Sequence, residues 1–456
     1  MPTGFSVVSG PMRPAIIHLF LLLLIAGGLH AEDALTLQAT TDREFYLSGA
    51  RNSVYLELKV GTPVAPAAPG AAAPVRNIVL VLDRSGSMAG APVQALREAV
   101  AAALKLLNSG DIVSVVVFGS EVETLIEARR RDQLENLDAL LASIEPAGGA
   151  ALYDALNQAA ALLRRHAGPA TSNHLILLTD GPATKGPREP ADFISLAEVF
   201  AREPITLSTI GLGPDFNEDL LATMARVGRG RFRYAAAPDN IAGALLAELT
   251  PTGALLAREV VLTAEFGVDC RKLESYAWAP AVMKDMTATY RFPYIFAGQD
   301  LTVLLGAEME TRRFSYPLAK IRLTWTGVAD GEEHALELKP VIRPEQDAEV
   351  VRRSANVAVV RTAVGSVISD GLQKTIEEMD KGDLRKAQRE LRRARSTALD
   401  LNYSLDDAQV QASIAQLDPY LAEVQARGLN PSDRKLLRSG LNNRFATPTA
   451  GESKEK

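Results

Sequence analysis

Asp83, Ser85 and Ser87 fall within one short stretch, Asp83-Arg84-Ser85-Gly86-Ser87, which places a carboxylate and two hydroxyls on a single loop. No His or Cys lies nearby. A donor set made only of oxygens suits Mg²⁺, Mn²⁺ or Ca²⁺ and suits zinc poorly. A second carboxylate, Asp180, follows another apolar run, Leu175-Ile176-Leu177-Leu178, in the sequence Thr179-Asp180-Gly181. Two neighbouring carboxylates repel each other unless a cation or a basic partner lies between them.

The flanking residues say how such a loop is held. Ile78 to Leu82 is an unbroken aliphatic run, the pattern of a strand buried on both faces of a parallel sheet. After the loop, Pro92 stands where the first turn of a helix tolerates a missing N–H, and Val93, Leu96, Val100, Ala103, Leu104 and Leu107 form one helical face. The acid and both serines therefore sit at the carboxyl end of a strand, the edge at which open α/β sheets bind ligands.

The pattern Asp-x-Ser-x-Ser after a buried strand resembles the metal-ion-dependent adhesion site of von Willebrand factor A-type domains. Two further elements extend the resemblance over roughly residues 76–250. Gly148-Gly149-Ala150 opens a helix where the family has Gly-Gly-Thr, and Thr179-Asp180-Gly181 ends a strand as in the family. The departure is Ala150, which occupies the metal-binding Thr position. The resemblance implies that Ser85 and Ser87 ligate the cation directly and that Asp83 and Asp180 act as charged inner- or outer-shell groups. It also implies that a carboxylate from a protein partner fills the last position. Ala150 has no oxygen, so a water must take the place of the Thr hydroxyl, which Mg²⁺ tolerates because it readily keeps several waters. Arg84 is expected to face solvent or to pair with an acid of the partner, and Asp154, one turn into the helix, reads as a surface acid.

The rest of the chain frames this domain. Residues 1–31 carry Arg13, the short apolar run Ile16 to Ala26 and the small residues Gly27, Gly28 and Ala31, the pattern of a secretory signal cleaved after Ala31. The expected protein is exported, periplasmic or secreted, with no membrane span in the mature chain. Alternation in residues 32–60 (Leu35, Leu37, then Val54, Leu56, Leu58 and Val60) gives two strands of a half-buried antiparallel sheet. Residues 61–75 are a Gly/Ala/Pro linker. Within 76–250, strands alternate with helices, including a helix expected over 132–144 and an edge strand at Arg231–Tyr234. Residues 251–343 hold short strands without helices. They are expected to pair with the amino-terminal strands in one antiparallel β-sandwich into which the α/β doubly wound, Rossmann-like domain is inserted. From Pro344 to near Phe445 the pattern is helical, giving three or four helices with Asp383 as an N-cap, before a tail at 446–456. This order resembles bacterial relatives of the inter-alpha-trypsin inhibitor heavy chains and of the calcium-activated chloride channel homologues.

Composition narrows the function. The net charge of −6 argues against nucleic acid as a partner. Cys270 is the single cysteine, which excludes an intrachain disulfide. The five histidines form no HExxH, and Ser85 lies between Arg84 and Gly86 rather than in GxSxG. The leading expectation is a non-catalytic module that binds a protein partner through the cation. A metal-independent scaffold in an envelope complex is the alternative, favoured by Ala150. A hydrolase using the cation as Lewis acid is disfavoured because no general base stands out on the rim.

Overall fold

The computed structural model describes residues 35–426 except 63–74, 170, 250–253, 277–280, 404 and 406, together with 434 and 437. The expected signal segment, the body of the expected linker and the expected tail lie outside these residues. Among the described residues, no helix is long and apolar enough to cross a membrane.

The chain begins with β1 (Thr36–Thr41), β2 (Phe45–Leu47) and β3 (Arg51–Gly61). The doubly wound domain follows. Its strands are β4 (Val75–Asp83), β5 (Ile112–Phe118), β6 (Val122–Arg130), β7 (Thr171–Thr179), β8 (Ile205–Leu212) and β9 (Arg229–Ala235). Its helices are α1 (Ala91–Lys105), α2 (Leu137–Ala142), α3 (Leu152–Arg165), α4 (Pro190–Arg202), α5 (Glu218–Val227) and α6 (Asn240–Leu249). The sheet order is β6-β5-β4-β7-β8-β9, parallel throughout except for β6 at the edge. Val79, Val81, Leu175 and Leu177 point into one apolar layer and Ile78, Leu80, Ile176 and Leu178 into the other, which is why these strands read as continuous aliphatic runs. The helix expected over 132–144 is instead a 3₁₀ turn at Arg131–Gln133 and the short α2. Asn136 between them adopts a left-handed conformation, φ 53°, which no continuous helix can contain.

Nine strands follow: β10 (Leu255–Phe266), β11 (Cys270–Ser275), β12 (Val282–Lys284), β13 (Thr287–Phe296), β14 (Leu301–Glu310), β15 (Tyr316–Pro317), β16 (Ala319–Gly327), β17 (Glu333–Leu338) and β18 (Val341–Glu345). Strands from both sides of the insertion form one sheet, β1-β3-β14-β11, which faces β12-β13-β10-β16-β17 across a shared core. The insertion leaves β3 after Gly61 and rejoins at Leu255, opposite Phe296, so both junctions lie at one end of the sandwich. There the Tyr294 hydroxyl donates to the Pro204 carbonyl at 2.7 Å and accepts from the Asn173 side chain at 3.1 Å. Within the inserted domain, Arg76 near the start of β4 donates to the Leu249 carbonyl at the end of α6 at 2.9 Å while paired with Asp111.

The helical region starts later than Pro344. β18 runs through Glu345 and pairs in parallel with β2, which consumes the backbone groups a helix would need. Five helices are described rather than three or four: α7 (Ala348–Arg353), α8 (Val357–Asp380), α9 (Leu384–Tyr403), α10 (Ala408–Ala415) and α11 (Leu417–Ala426). Asp383 caps α9 by accepting the Lys386 amide at 2.8 Å. These helices pack on the outer face of β3 and β14 through Tyr55 and Leu304. The sheet is therefore covered on both faces at Val54 to Leu58, not half-buried as its alternation suggested.

Candidate functional site

Strand β4 ends at Asp83 and β7 at Thr179, and these two neighbouring strand ends place all four sequence-selected residues together. Asp83 is buried completely. Its Oδ1 accepts the Ser85 amide at 2.8 Å, and its Oδ2 accepts the Thr179 hydroxyl at 2.5 Å. Above it, Ser85 Oγ lies 3.0 Å from Ser87 Oγ, and Ser87 donates to Asp180 Oδ1 at 2.9 Å. The oxygens thus climb from a buried floor at Asp83 to an exposed rim at Ser87, with Asp180 half-buried between.

Burial first, with Asp180 as a nearby like charge, raises the pKa of Asp83, although the Thr179 and Ser85 hydrogen bonds oppose the shift. Burial also raises Asp180, assisted by Asp215 on the next loop. Among the described residues, neither Asp83 nor Asp180 has an ion-pair partner; Arg84, the nearest cation in sequence, is turned to Glu123 at 3.0 Å. That contact corrects the expectation that Arg84 points to solvent or to a partner: β6 runs beside the loop and offers a closer acid. Among the described residues, these two carboxylates and two hydroxyls thus stand together without an ion pair to a cation. These hard oxygens fit a divalent ion of the Mg²⁺ class. Among the described residues, no cluster of three or more His, Cys, Asp or Glu side chains is placed to hold a metal, so the serine hydroxyls are indispensable to such a set.

Backbone contacts lock three loops around these oxygens. Gly86 donates to the Gly148 carbonyl at 3.1 Å and Ala147 to the Arg84 carbonyl at 2.8 Å. Gly148 has φ 71°, and a Cβ there would stand 2.2 Å from Ser120 Oγ, so glycine is required twice over. Ala150 is buried in the apolar layer of α3, while its amide donates to Thr184 Oγ1 at 2.7 Å. Asp154 is exposed, as read from the sequence. The sequence assigns no role to Thr179, and Ser120 and Thr184 lie outside the motifs it shows. Thr179 was open to discovery, since it immediately precedes a selected acid. The other two reach the site only through loop packing and carry no local signal.

A doubly wound sheet with this hydroxyl and carboxylate loop at its carboxyl edge is the architecture of a von Willebrand factor A-type domain. Residues 76–234 match the von Willebrand factor type A domain family. A protein of Synechocystis sp. designated sll0103 is 30% identical over 170 residues, 36% of this chain and 38% of that protein. Inter-alpha-trypsin inhibitor heavy chain H1 of Sus scrofa is 30% identical over 164 residues, 34% of this chain and 18% of that one. The chain thus spans well under half the length of these relatives. Two solved structures follow the fold almost end to end at 18% identity. The von Willebrand factor type A protein from Catenulispora acidiphila has a TM-score of 0.69 and covers 93% of this chain and 99% of its own. The ArnB paralog VWA2 from Sulfolobus acidocaldarius has a TM-score of 0.59 and covers 90% and 98%. The likeness therefore includes the sandwich and the helical region as well as the inserted domain, and it is a likeness of fold.

Proposed function

We propose that this is an exported, non-catalytic binding module that recruits a protein partner through a divalent cation held at Asp83, Ser85, Ser87 and Asp180. The observation that carries the reading is the convergence of the Ser85, Ser87 and Asp180 oxygens above a buried Asp83 that has no ion-pair partner among the described residues. Ser85 and Ser87 present hydroxyl oxygens to the ion. Asp180 supplies charge at the rim, and Asp83, held by Thr179 and the Ser85 amide, fixes the loop and adds charge from beneath. Mg²⁺, Mn²⁺ or Ca²⁺ bound there supplies a positive centre for an acidic side chain of the partner. The exposed Ser87 leaves that approach open.

Calorimetric titration with Mg²⁺ and Mn²⁺ tests the site: wild type binds, and Asp83→Ala binds more weakly while remaining folded. If neither ion binds at millimolar concentration, the cation reading fails. A metal-independent scaffold then stands, favoured by the burial of Ala150 in the core layer at the family's Thr position. Export is checked separately by mass spectrometry of the mature protein from its host, which should begin near Glu32.

A further inference from the structure

The carboxy-terminal helices do not seal against the sandwich. Between the sheet of β3, β14 and β11 and the helices α8 and α9 lies a cleft of about 290 Å³. That volume is at the small end of small-molecule sites. Its floor is made by Tyr55 and Tyr276, whose rings lie 6.2 Å apart at 37°. Gly306 lets them lie flat on the sheet, because a Cβ there would stand 2.9 Å from Tyr276 Cε2 and 3.3 Å from Tyr55 Cε1.

Tyr55 is only 7% exposed, yet its hydroxyl has no hydrogen-bond partner among the described residues and is not enclosed by protein, so it opens on the cleft. Burial, followed by Asp42, Glu274 and Asp400, pushes its phenol up to about 12, which keeps it a neutral donor and acceptor.

The charges lining the cleft are not evenly matched. Its four cations are all engaged: Lys374 by Asp370 at 2.7 Å, Arg393 and Lys272 by Glu274 at 3.3 and 3.1 Å, and Arg43 by Asp42 at 2.8 Å. Glu390 and Asp400 line the same cleft and have no ion-pair partner among the described residues. Both lie on α9, ten residues apart, which is about 15 Å along the helix axis. Two acids with no ion-pair partner among the described residues thus line one cleft about 15 Å apart along α9, together with the tyrosine pair.

We propose that this cleft binds an extended organic polycation of the linear polyamine class, one ammonium at Glu390, another at Asp400 and the methylene stem over Tyr55 and Tyr276. Ammonium groups give each carboxylate a charge-assisted hydrogen bond, and the aromatic floor favours a cation or its alkyl stem. The Tyr55 hydroxyl accepts from an inner amine. A diamine too short to reach both ends satisfies only one carboxylate.

Calorimetry on the full chain at low salt, with spermine, putrescine and propylamine as probes, tests the assignment. Spermine should bind at least about tenfold more tightly than putrescine, propylamine should give no measurable heat, and added salt should weaken the spermine signal. The near-isosteric pair Glu390→Gln with Asp400→Asn should lower spermine affinity by about tenfold or more, and Tyr55→Phe by a few-fold, with unchanged circular dichroism. Glu332→Gln with Glu333→Gln, exposed acids outside the cleft, should change nothing. Absence of spermine binding at millimolar concentration overturns the proposal. So does equal affinity in wild type and the Glu390/Asp400 variant, or equal affinity for putrescine and spermine, since either places the amines on the general acidic surface.

Discussion

The Thr184 hydroxyl oxygen lies 2.7 Å from the Ala150 amide nitrogen and accepts its proton. A threonine from the loop after Asp180 thereby meets the backbone of Ala150, the position at which the sequence resemblance implies a hydroxyl. Gly149 makes room for it, because a Cβ there would stand 2.4 Å from that same oxygen. The contact joins the second and third loops of the site independently of any ion.

It gives a paired prediction. Thr184→Val removes the acceptor and leaves the Ala150 amide unsatisfied, which should destabilise the protein by about 1 kcal/mol in a denaturant titration. Ala150→Thr brings the family's hydroxyl back but adds atoms to a side chain packed in the core layer. Cation-free stability should therefore fall by about 1–3 kcal/mol, while cation binding should tighten by about 1 kcal/mol as a preorganised oxygen replaces water. Unfolding with and without Mn²⁺ separates the two effects.

The raised carboxyls at Asp83 and Asp180 set a pH dependence. An acid whose folded pKa exceeds its unfolded value holds its proton more firmly in the native state. Its contribution to stability is therefore lost as pH climbs from the ordinary value, 3.8, through the raised one. Cation-free protein should lose melting temperature over that interval, and the rise produced by Mg²⁺ should grow over it, because the ion binds the deprotonated pair. Asp83→Asn removes the buried charge while the Thr179 hydroxyl can turn to the Gly181 carbonyl, 3.1 Å away. This variant should be more stable than wild type at pH 7 without cation, by roughly 0.5–1 kcal/mol and hence with a higher melting temperature, and should lose most of the response to Mg²⁺. A variant that melts lower in the absence of cation would contradict the account.

Tyr294 is the polar clasp between sandwich and inserted domain. Tyr294→Phe leaves the ring but strips the Asn173 side chain and the Pro204 carbonyl of a partner. A loss of about 1–2 kcal/mol is expected, with faster amide exchange at the starts of β7 and β8 and none at the Asp83 loop. Exchange spread evenly over the inserted domain would show that the clasp is not local.

Much of this architecture was legible because it is local. Five aliphatic residues before Asp83 and four before Thr179 are buried strands by composition alone, and the acids follow at their ends. The sandwich was readable from alternation on both sides of the insertion. The features that were not legible depend on contacts distant in sequence. The left-handed turn at Asn136 broke a helix whose apolar spacing was sound. The parallel pairing of β18 with β2 joins segments about three hundred residues apart. Thr184 and Ser120 reach the site only because Gly148 and Gly149 let loops approach. The cleft beside Tyr55 draws its walls from strands and helices on both sides of the insertion, so no window of sequence contains it.

The position of β4 gives the molecule a mechanical axis. This strand lies between β5 and β7, carries Asp83 at one end and begins beside the chain junction at the other, where Arg76 fastens entry to exit. Tension applied at the Asp83 rim and resisted by the sandwich runs along a single strand about 30 Å long, flanked on both sides by parallel ladders. Such a pull loads those hydrogen bonds together in shear rather than opening them one after another. The Arg76–Leu249 contact fastens the end of α6 to the start of this strand, so under stretching the inserted domain should resist as one unit and yield abruptly.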